Sequence, residues 1–428
     1  MMRARHIFVV LLTKTTRCAA MVIVLAAIVF LINTAFSDGS RSSHGSIDIN
    51  ERLTEAVYSA ATETKKLTTK DTSILQSEGD KEREKKPRKR LKTILLWNPF
   101  FAKPDYGVGG FGTVAFEKTN CEHTCWLTSD KSQLPVADAV VVHVYNMRHN
   151  YQNTTIPKRY SQNQIFVFFI LESPLRSYKG FFKTGFSFKD IFNLTFTFLD
   201  SKETDIYIPL GGLALREQPK EMLLPDESAI ANESLIAWFI SNCHAPSARM
   251  AYAMELAKYV PVHIYGACGN YSCPRKDIDC YNKITQSYMF YLAFENSFCK
   301  DYATEKLFRT LTTLMVPIVY GNANYAKLVP AKAFIDVRDF ESPKHLANYL
   351  LILKETPKKY LRYLSWKRKY SVLREGDFKA TGFCRLCNIL HTDNYPYKTN
   401  YDPVGDYWNP NELCVSGNEE RKAVHLEK

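Results

Sequence analysis

The chain has 428 residues and a formal net charge of +12, with 46% hydrophobic residues. Part of the basic excess is one run, 81–92, on the far side of an N-terminal apolar span. A segment carried across a membrane meets no nucleic acid, so this run is not read as a nucleic-acid patch. No internal repeat at a period of ~20–50 residues is present, which excludes solenoids and propellers.

Residues 19–36 are uncharged and mostly aliphatic, long enough to span a bilayer. Arg3, Arg5, Lys14 and Arg17 precede them and Asp38 follows, so the N-terminus is expected on the cytoplasmic side. The rival is a cleaved signal peptide, but Asn33-Thr34-Ala35-Phe36 is a poor small-residue cleavage site. The expected order is a tail at 1–18, a transmembrane signal-anchor at 19–36 and a stem at 37–92. The stem is rich in Ser, Thr, Glu and Lys and cannot bury enough apolar surface to fold. Cys18 borders the span; the other cysteines, an even number, follow it and imply disulfides in an oxidising compartment. Sequons at Asn153, Asn193, Asn232 and Asn270 agree with a translocated chain. Roughly 330 residues remain, enough for two domains. Apolar strands alternate with helical segments there, which argues α/β.

In the first half, Thr93–Asn98, Ala139–Tyr145, Ile165–Leu171 and Leu194–Leu199 read as strands buried on both faces. Gly107-Val-Gly-Gly-Phe-Gly112 satisfies G-x-G-x-x-G, yet eight residues separate it from the preceding strand. A dinucleotide fingerprint needs its first glycine in the turn directly after the strand. The segment is therefore read as a flexible loop, and a nicotinamide-dependent oxidoreductase is set aside. The third strand ends on Glu172-Ser173-Pro174. A carboxylate at the carboxyl end of a buried strand stands where a cleft forms; a general base and a helix-capping or ion-paired group both fit it. His143, inside a strand pattern, reads as a core histidine.

In the second half, Leu235–Ser241 reads as a strand, Ala248–Tyr259 as a helix opened by Arg249, and Val262–Tyr265 as a strand. Asp277-Ile-Asp279 is a D-x-D without a preceding strand and reads as a turn. Residues 289–321 form one βαβ unit. Met289–Phe294 is an aromatic-rich strand. Leu307, Phe308, Leu311, Leu314 and Met315 share a helix face. Val316–Tyr320 is the next strand. A lysine in the first turn of a helix opposes the dipole, so Lys306 needs a partner, and a diphosphate seated at that helix N-terminus would provide one.

The words F-E-N-S, D-Y-x-T-E-K-L and V-P-I-V-x-G within this unit resemble the α1,3-fucosyltransferases of the glycosyltransferase B type. W-F-I-S-N-C and A-R before it, and F-I-D-V-R-D-F, L-R-Y-L-S-W-K and G-F-C-R-L-C after it, extend the resemblance to about residues 93–415. The resemblance implies two Rossmann-like domains, an acceptor-side one at 93–225 and a GDP-fucose-binding one at 226–380. A C-terminal segment, 381–428, would be clamped to the first by disulfides between Cys121, Cys125, Cys384 and Cys387. It also implies an inverting transfer of L-fucose from GDP-β-L-fucose to the 3-hydroxyl of a core or outer-arm N-acetylglucosamine in a glycan. Glu172 would be the base. Arg249 and Lys306 would neutralise the diphosphate, Asn296 and Tyr302 would contact phosphates and sugar, and Glu305 would hold the ribose. No metal is required, though Mn or Mg could stimulate mildly. The expected setting is the Golgi membrane, single-pass type II, with the catalytic domain luminal. A non-catalytic type II membrane lectin or receptor on the same scaffold is the alternative.

Overall fold

The computed structural model describes residues 90–117, 119–147, 156–182, 187–200, 204–218, 234–274 and 276–426. The expected tail, signal-anchor and nearly all of the stem lie outside these residues, as do Asn153 and Asn232. Among the described residues no helix is long and apolar enough to cross a membrane.

Two parallel sheets form the α/β architecture. The first contains β1 (Thr93–Leu96), β2 (Trp126–Thr128), β3 (Ala139–His143), β4 (Ile165–Phe169), β5 (Leu194–Thr197) and β6 (Ile206–Tyr207), in the order β2-β1-β3-β4-β5-β6. Helix α1 (Pro174–Phe182) follows β4. All five pairings are parallel, and β1, β3, β4 and β5 are buried throughout. Continuous apolar runs are what such covered strands need.

After β7 (Leu213–Leu215) the second sheet begins. It comprises β8 (Ser234–Phe239), β9 (Val262–Tyr265), β10 (Tyr288–Phe294), β11 (Val316–Tyr320) and β12 (Ile335–Asp336), ordered β12-β11-β10-β8-β9 and again wholly parallel. Its crossovers include α2 (Arg249–Leu256), α3 (Ile278–Ser287) and α4 (Glu305–Leu311). Next come α5 (Pro343–Glu355) and β13 (Tyr370–Val372), which pairs antiparallel with β7 and packs with it on the second lobe.

Helix α6 (Glu375–His391) starts before the expected boundary at 381. It packs on the first lobe because Gly382 admits Phe196, whose ring a Cβ there would meet at 2.6 Å. Phe383, Leu386 and Leu390 enter the same core, each burial worth roughly 1.5–3 kcal/mol. Cys121 pairs with Cys384 and Cys125 with Cys387. Past Leu413 the tail departs from the expectation: Val415, Val424 and Leu426 join the core of the second lobe. Short helix α7 (Asn418–Ala423) lies there.

Two local expectations are corrected. Asp277 caps α3, its carboxylate accepting from the Cys280 amide at 2.8 Å, so the D-x-D opens a helix and is not a turn. The glycine loop is not slack: the Asp105 carboxylate accepts from the Gly107 and Gly109 amides at 2.9 and 3.2 Å.

Candidate active site

The carboxyl ends of β8, β9 and β10 open onto a cleft of about 650 Å³, lined among others by Asn242, Arg249, Asn296, Glu305 and Lys306. That lies inside the range of about 300–1,000 Å³ usual for ligand pockets, at the sheet edge where parallel α/β folds bind ligands. Its far wall is aromatic, with Phe239, Tyr265, Tyr281 and Tyr291.

Arg249 opens α2 and is only 4% exposed. Its Nη1 donates to the Phe294 carbonyl and its Nη2 to the Asn242 carbonyl, both at 2.9 Å. Its buried Nε has no hydrogen-bond partner. Burial pulls the guanidinium below the ordinary arginine value, and the Glu295 charge opposes that shift. A guanidinium anchored on two carbonyls keeps further N–H donors beside the cleft that its side chain lines, an arrangement suited to an anion.

Lys306 has a partner inside the protein, which corrects the expectation. Its Nζ donates to Glu295 Oε2 at 2.8 Å and to Thr304 Oγ1 at 2.6 Å, and Glu305 Oε1 lies 3.6 Å away. Burial works against the Lys306 charge, but the two carboxylates outweigh it and hold the ammonium above its ordinary value. Glu295 is 1% exposed. Its Oε1 also accepts from the Thr304 amide at 2.7 Å and hydroxyl at 2.9 Å. The anion at the N-terminus of α4 is thus Glu295 itself, and the helix has only 7 residues. Burial pushes the Glu295 carboxyl up, and Lys306 pulls it back.

The first lobe contributes the other half. Glu172 follows β4, and its Oε1 accepts from the Tyr302 hydroxyl at 2.8 Å and the Ser173 amide at 3.0 Å. Oε2 accepts no hydrogen bond from any described residue. Ser173 Oγ meets Ser297 Oγ at 2.6 Å across the lobes, and Ser297 Oγ reaches Asn296 Oδ1 at 3.1 Å. Glu172 and Tyr302 therefore stand beside the cleft, joined to its lining through this chain and not part of the lining itself. Burial first, then the Glu172 charge, holds the Tyr302 phenol well above its ordinary value. It is a fixed donor at neutral pH.

Family models match most of the described chain. Fucosyltransferase, N-terminal, covers residues 89–211, and glycosyltransferase family 10 (fucosyltransferase) C-term covers residues 230–406. Alpha-(1,3)-fucosyltransferase C of Drosophila melanogaster is 31% identical over 351 residues, 74% of this chain and 77% of that protein. The chain belongs to glycosyltransferase family 10, the fucosyltransferases. Glycoprotein 3-alpha-L-fucosyltransferase A of the same species is 33% identical over 339 residues, which is 76% of this chain but 62% of that longer protein. A solved α1,3-fucosyltransferase with GDP-fucose aligns over 76% of this chain at 19% identity, covers 96% of that chain and gives a TM-score of 0.45.

In this fucosyltransferase the sequence-predicted residues fall into two groups. Arg249, Asn296, Glu305 and Lys306 line the cleft; Glu172 and Tyr302 face each other behind its rim. Arg309 and Thr310 line the cleft too and went unnoticed in the sequence. Their spacing from Lys306, three and four residues, is the signal that could have found them. Asn270 is exposed. Asn193 is engaged: its Nδ2 donates to the Lys398 carbonyl at 3.2 Å and its Oδ1 accepts from Arg159 at 2.7 Å. Cys243 pairs with Cys268, Cys273 with Cys280 and Cys299 with Cys414. Sulfurs of Cys125 and Cys387 and a ring nitrogen of His391 lie within 4.8 Å of one another, but those two sulfurs are bonded together.

Proposed function

We propose that this fucosyltransferase moves L-fucose from GDP-β-L-fucose to the 3-hydroxyl of an N-acetylglucosamine in an N-glycan or related glycan, with inversion. One observation carries the reading: Glu172, just past a first-lobe strand, is held by Tyr302 next to a second-lobe cleft lined by three cations, Arg249, Lys306 and Arg309. Tyr302 and the Ser173 amide both engage Oε1, which leaves Oε2 for the acceptor. In the reaction Oε2 takes the proton of the 3-hydroxyl as that oxygen attacks the anomeric carbon. The bond from that carbon to the β-phosphate oxygen breaks, and GDP departs. Charge grows on the leaving diphosphate, where the Arg249 guanidinium and the Lys306 ammonium stabilise it. Asn296 and Glu305 are assigned to phosphate and ribose contacts.

One relative is named for a glycoprotein acceptor and another for a 4-galactosyl-N-acetylglucosaminide, and core and outer-arm acceptors are both proposed. Incubation with GDP-fucose and a glycan panel, followed by linkage analysis, tests the reading. An α1,3-fucosylated N-acetylglucosamine is expected; binding of glycans without any transfer would favour a lectin. Because side-chain cations face the diphosphate, activity should persist in a chelator, with at most mild stimulation by Mn or Mg. Complete loss in chelator, restored by one metal, would count against the assignment. We further propose a type II Golgi anchorage with the catalytic part luminal, supported by the apolar stretch 19–36 and by the disulfides.

A further inference from the structure

Helix α2 opens with Arg249 but has no side chain of its own to cap it: its N-cap residue is Ala248. In a capping box the third helical residue returns a carboxylate to the N-cap amide. Here that residue is Ala251, which cannot. The bond is made instead from 172 residues away, by Glu420 Oε1, which accepts from the Ala248 amide at 2.7 Å. The same oxygen accepts from the Tyr320 hydroxyl, at the end of β11, at 2.6 Å. Glu420 is fully buried, a costly position for a carboxylate that has only one oxygen bonded. The tail that carries it is fastened to the other side of the site as well. Cys414 is bonded to Cys299, in the loop between Asn296 and Tyr302. The Lys300 amide donates to the Leu413 carbonyl at 2.7 Å, and the Val415 amide to the Phe298 carbonyl at 2.9 Å. This tail lies beyond the residues that match the family model, 230–406.

We propose that Glu420 is a positioning residue for the donor: by capping α2 it fixes where the Arg249 guanidinium meets the diphosphate, so the C-terminal tail is part of the donor cradle. The inference rests on the donor reading given above. Glu420 does not touch the substrate; it acts through Ala248 and the first turn of α2.

Glu420→Asp keeps the charge but is one methylene too short to reach the Ala248 amide. Its GDP Kd and donor KM should rise about three- to tenfold, the size of a lost helix cap. The acceptor KM should stay within about twofold, and kcat at saturating donor should fall by no more than the donor KM rises, because Arg249 also faces the charge that grows on the leaving diphosphate. A purely structural role would lower the melting temperature and the active fraction but leave the donor KM alone. Glu420→Gln, which retains an accepting oxygen at full reach, should restore the donor KM. A folded Glu420→Asp enzyme with an unchanged donor KM overturns the proposal. If that variant does not fold, Ala251→Glu is added to it, so that the helix caps itself. A donor KM near wild type then supports the proposal, and a tenfold rise in the folded double variant contradicts it. Arg249→Ala is the reference: if it leaves GDP affinity unchanged, the donor reading itself fails, and the inference with it.

Discussion

Two parallel strands, one in each lobe, end in a glutamate followed closely by a serine, and the two serines touch at 2.6 Å. Beyond that likeness the glutamates differ. Glu295 is sealed, with Thr304 and Lys306 on its two oxygens. Among the described residues no cation pairs with Glu172, and its hydrogen bonds fall on one oxygen. A carboxylate whose oxygens are committed to an ammonium and to a helix end is a keystone. A carboxylate steadied on one side only can still take a proton. Sequence spacing cannot tell these apart, because the deciding partners meet only in the fold: Thr304 and Lys306 close on Glu295 when β10 and α4 pack, and Tyr302 reaches Glu172 from the other half of the chain.

The sharpest break of the comparison is Glu172→Gln. It keeps the shape and removes the base, so kcat should fall at least ~10²-fold, measured by fucose transfer at saturating donor and acceptor. Next is Lys306→Ala. It removes a charged contact to the diphosphate and strands Glu295 without its cation, so GDP Kd should rise ~10- to 30-fold and the melting temperature should fall. Unchanged GDP affinity in that variant would make Lys306 purely structural. Glu295→Gln is milder, since the amide still reaches Thr304. Unfolding free energy should drop by about 1–3 kcal/mol and GDP Kd rise several-fold, while turnover survives at saturating donor. The smallest expected effect is the most discriminating. Tyr302→Phe should cost ~3- to 10-fold in kcat, the worth of one hydrogen bond to the base, with GDP Kd within about twofold. A large loss of GDP affinity would return Tyr302 to the phosphate role that the family resemblance implies.

Much of this was legible in the sequence. The βαβ unit at 289–321 was, because a covered parallel strand needs an unbroken apolar run and a helix shows its face by spacing. Strands β2, β6 and β12 were not, since two or three residues carry no periodicity. Arg249 and Lys306 were recognised as cations at switch points. The protein partner of Lys306 was not seen, because Glu295, eleven residues earlier, comes within 2.8 Å only once β10 and α4 have packed. The clamp between Cys121, Cys125, Cys384 and Cys387 came from family resemblance alone. Glu420 carried no sequence signal: its bond to Ala248 spans most of the second lobe in sequence and exists only in the fold.

The most direct test of the central claim is a calorimetric GDP titration of Glu172→Gln and Glu295→Gln, paired with their transfer rates. The account predicts that Glu172→Gln binds GDP within about twofold of wild type and transfers no fucose, while Glu295→Gln binds GDP more weakly yet still turns over. Transfer by Glu172→Gln at a near-wild-type rate, or loss of GDP binding together with transfer in that variant, would contradict it.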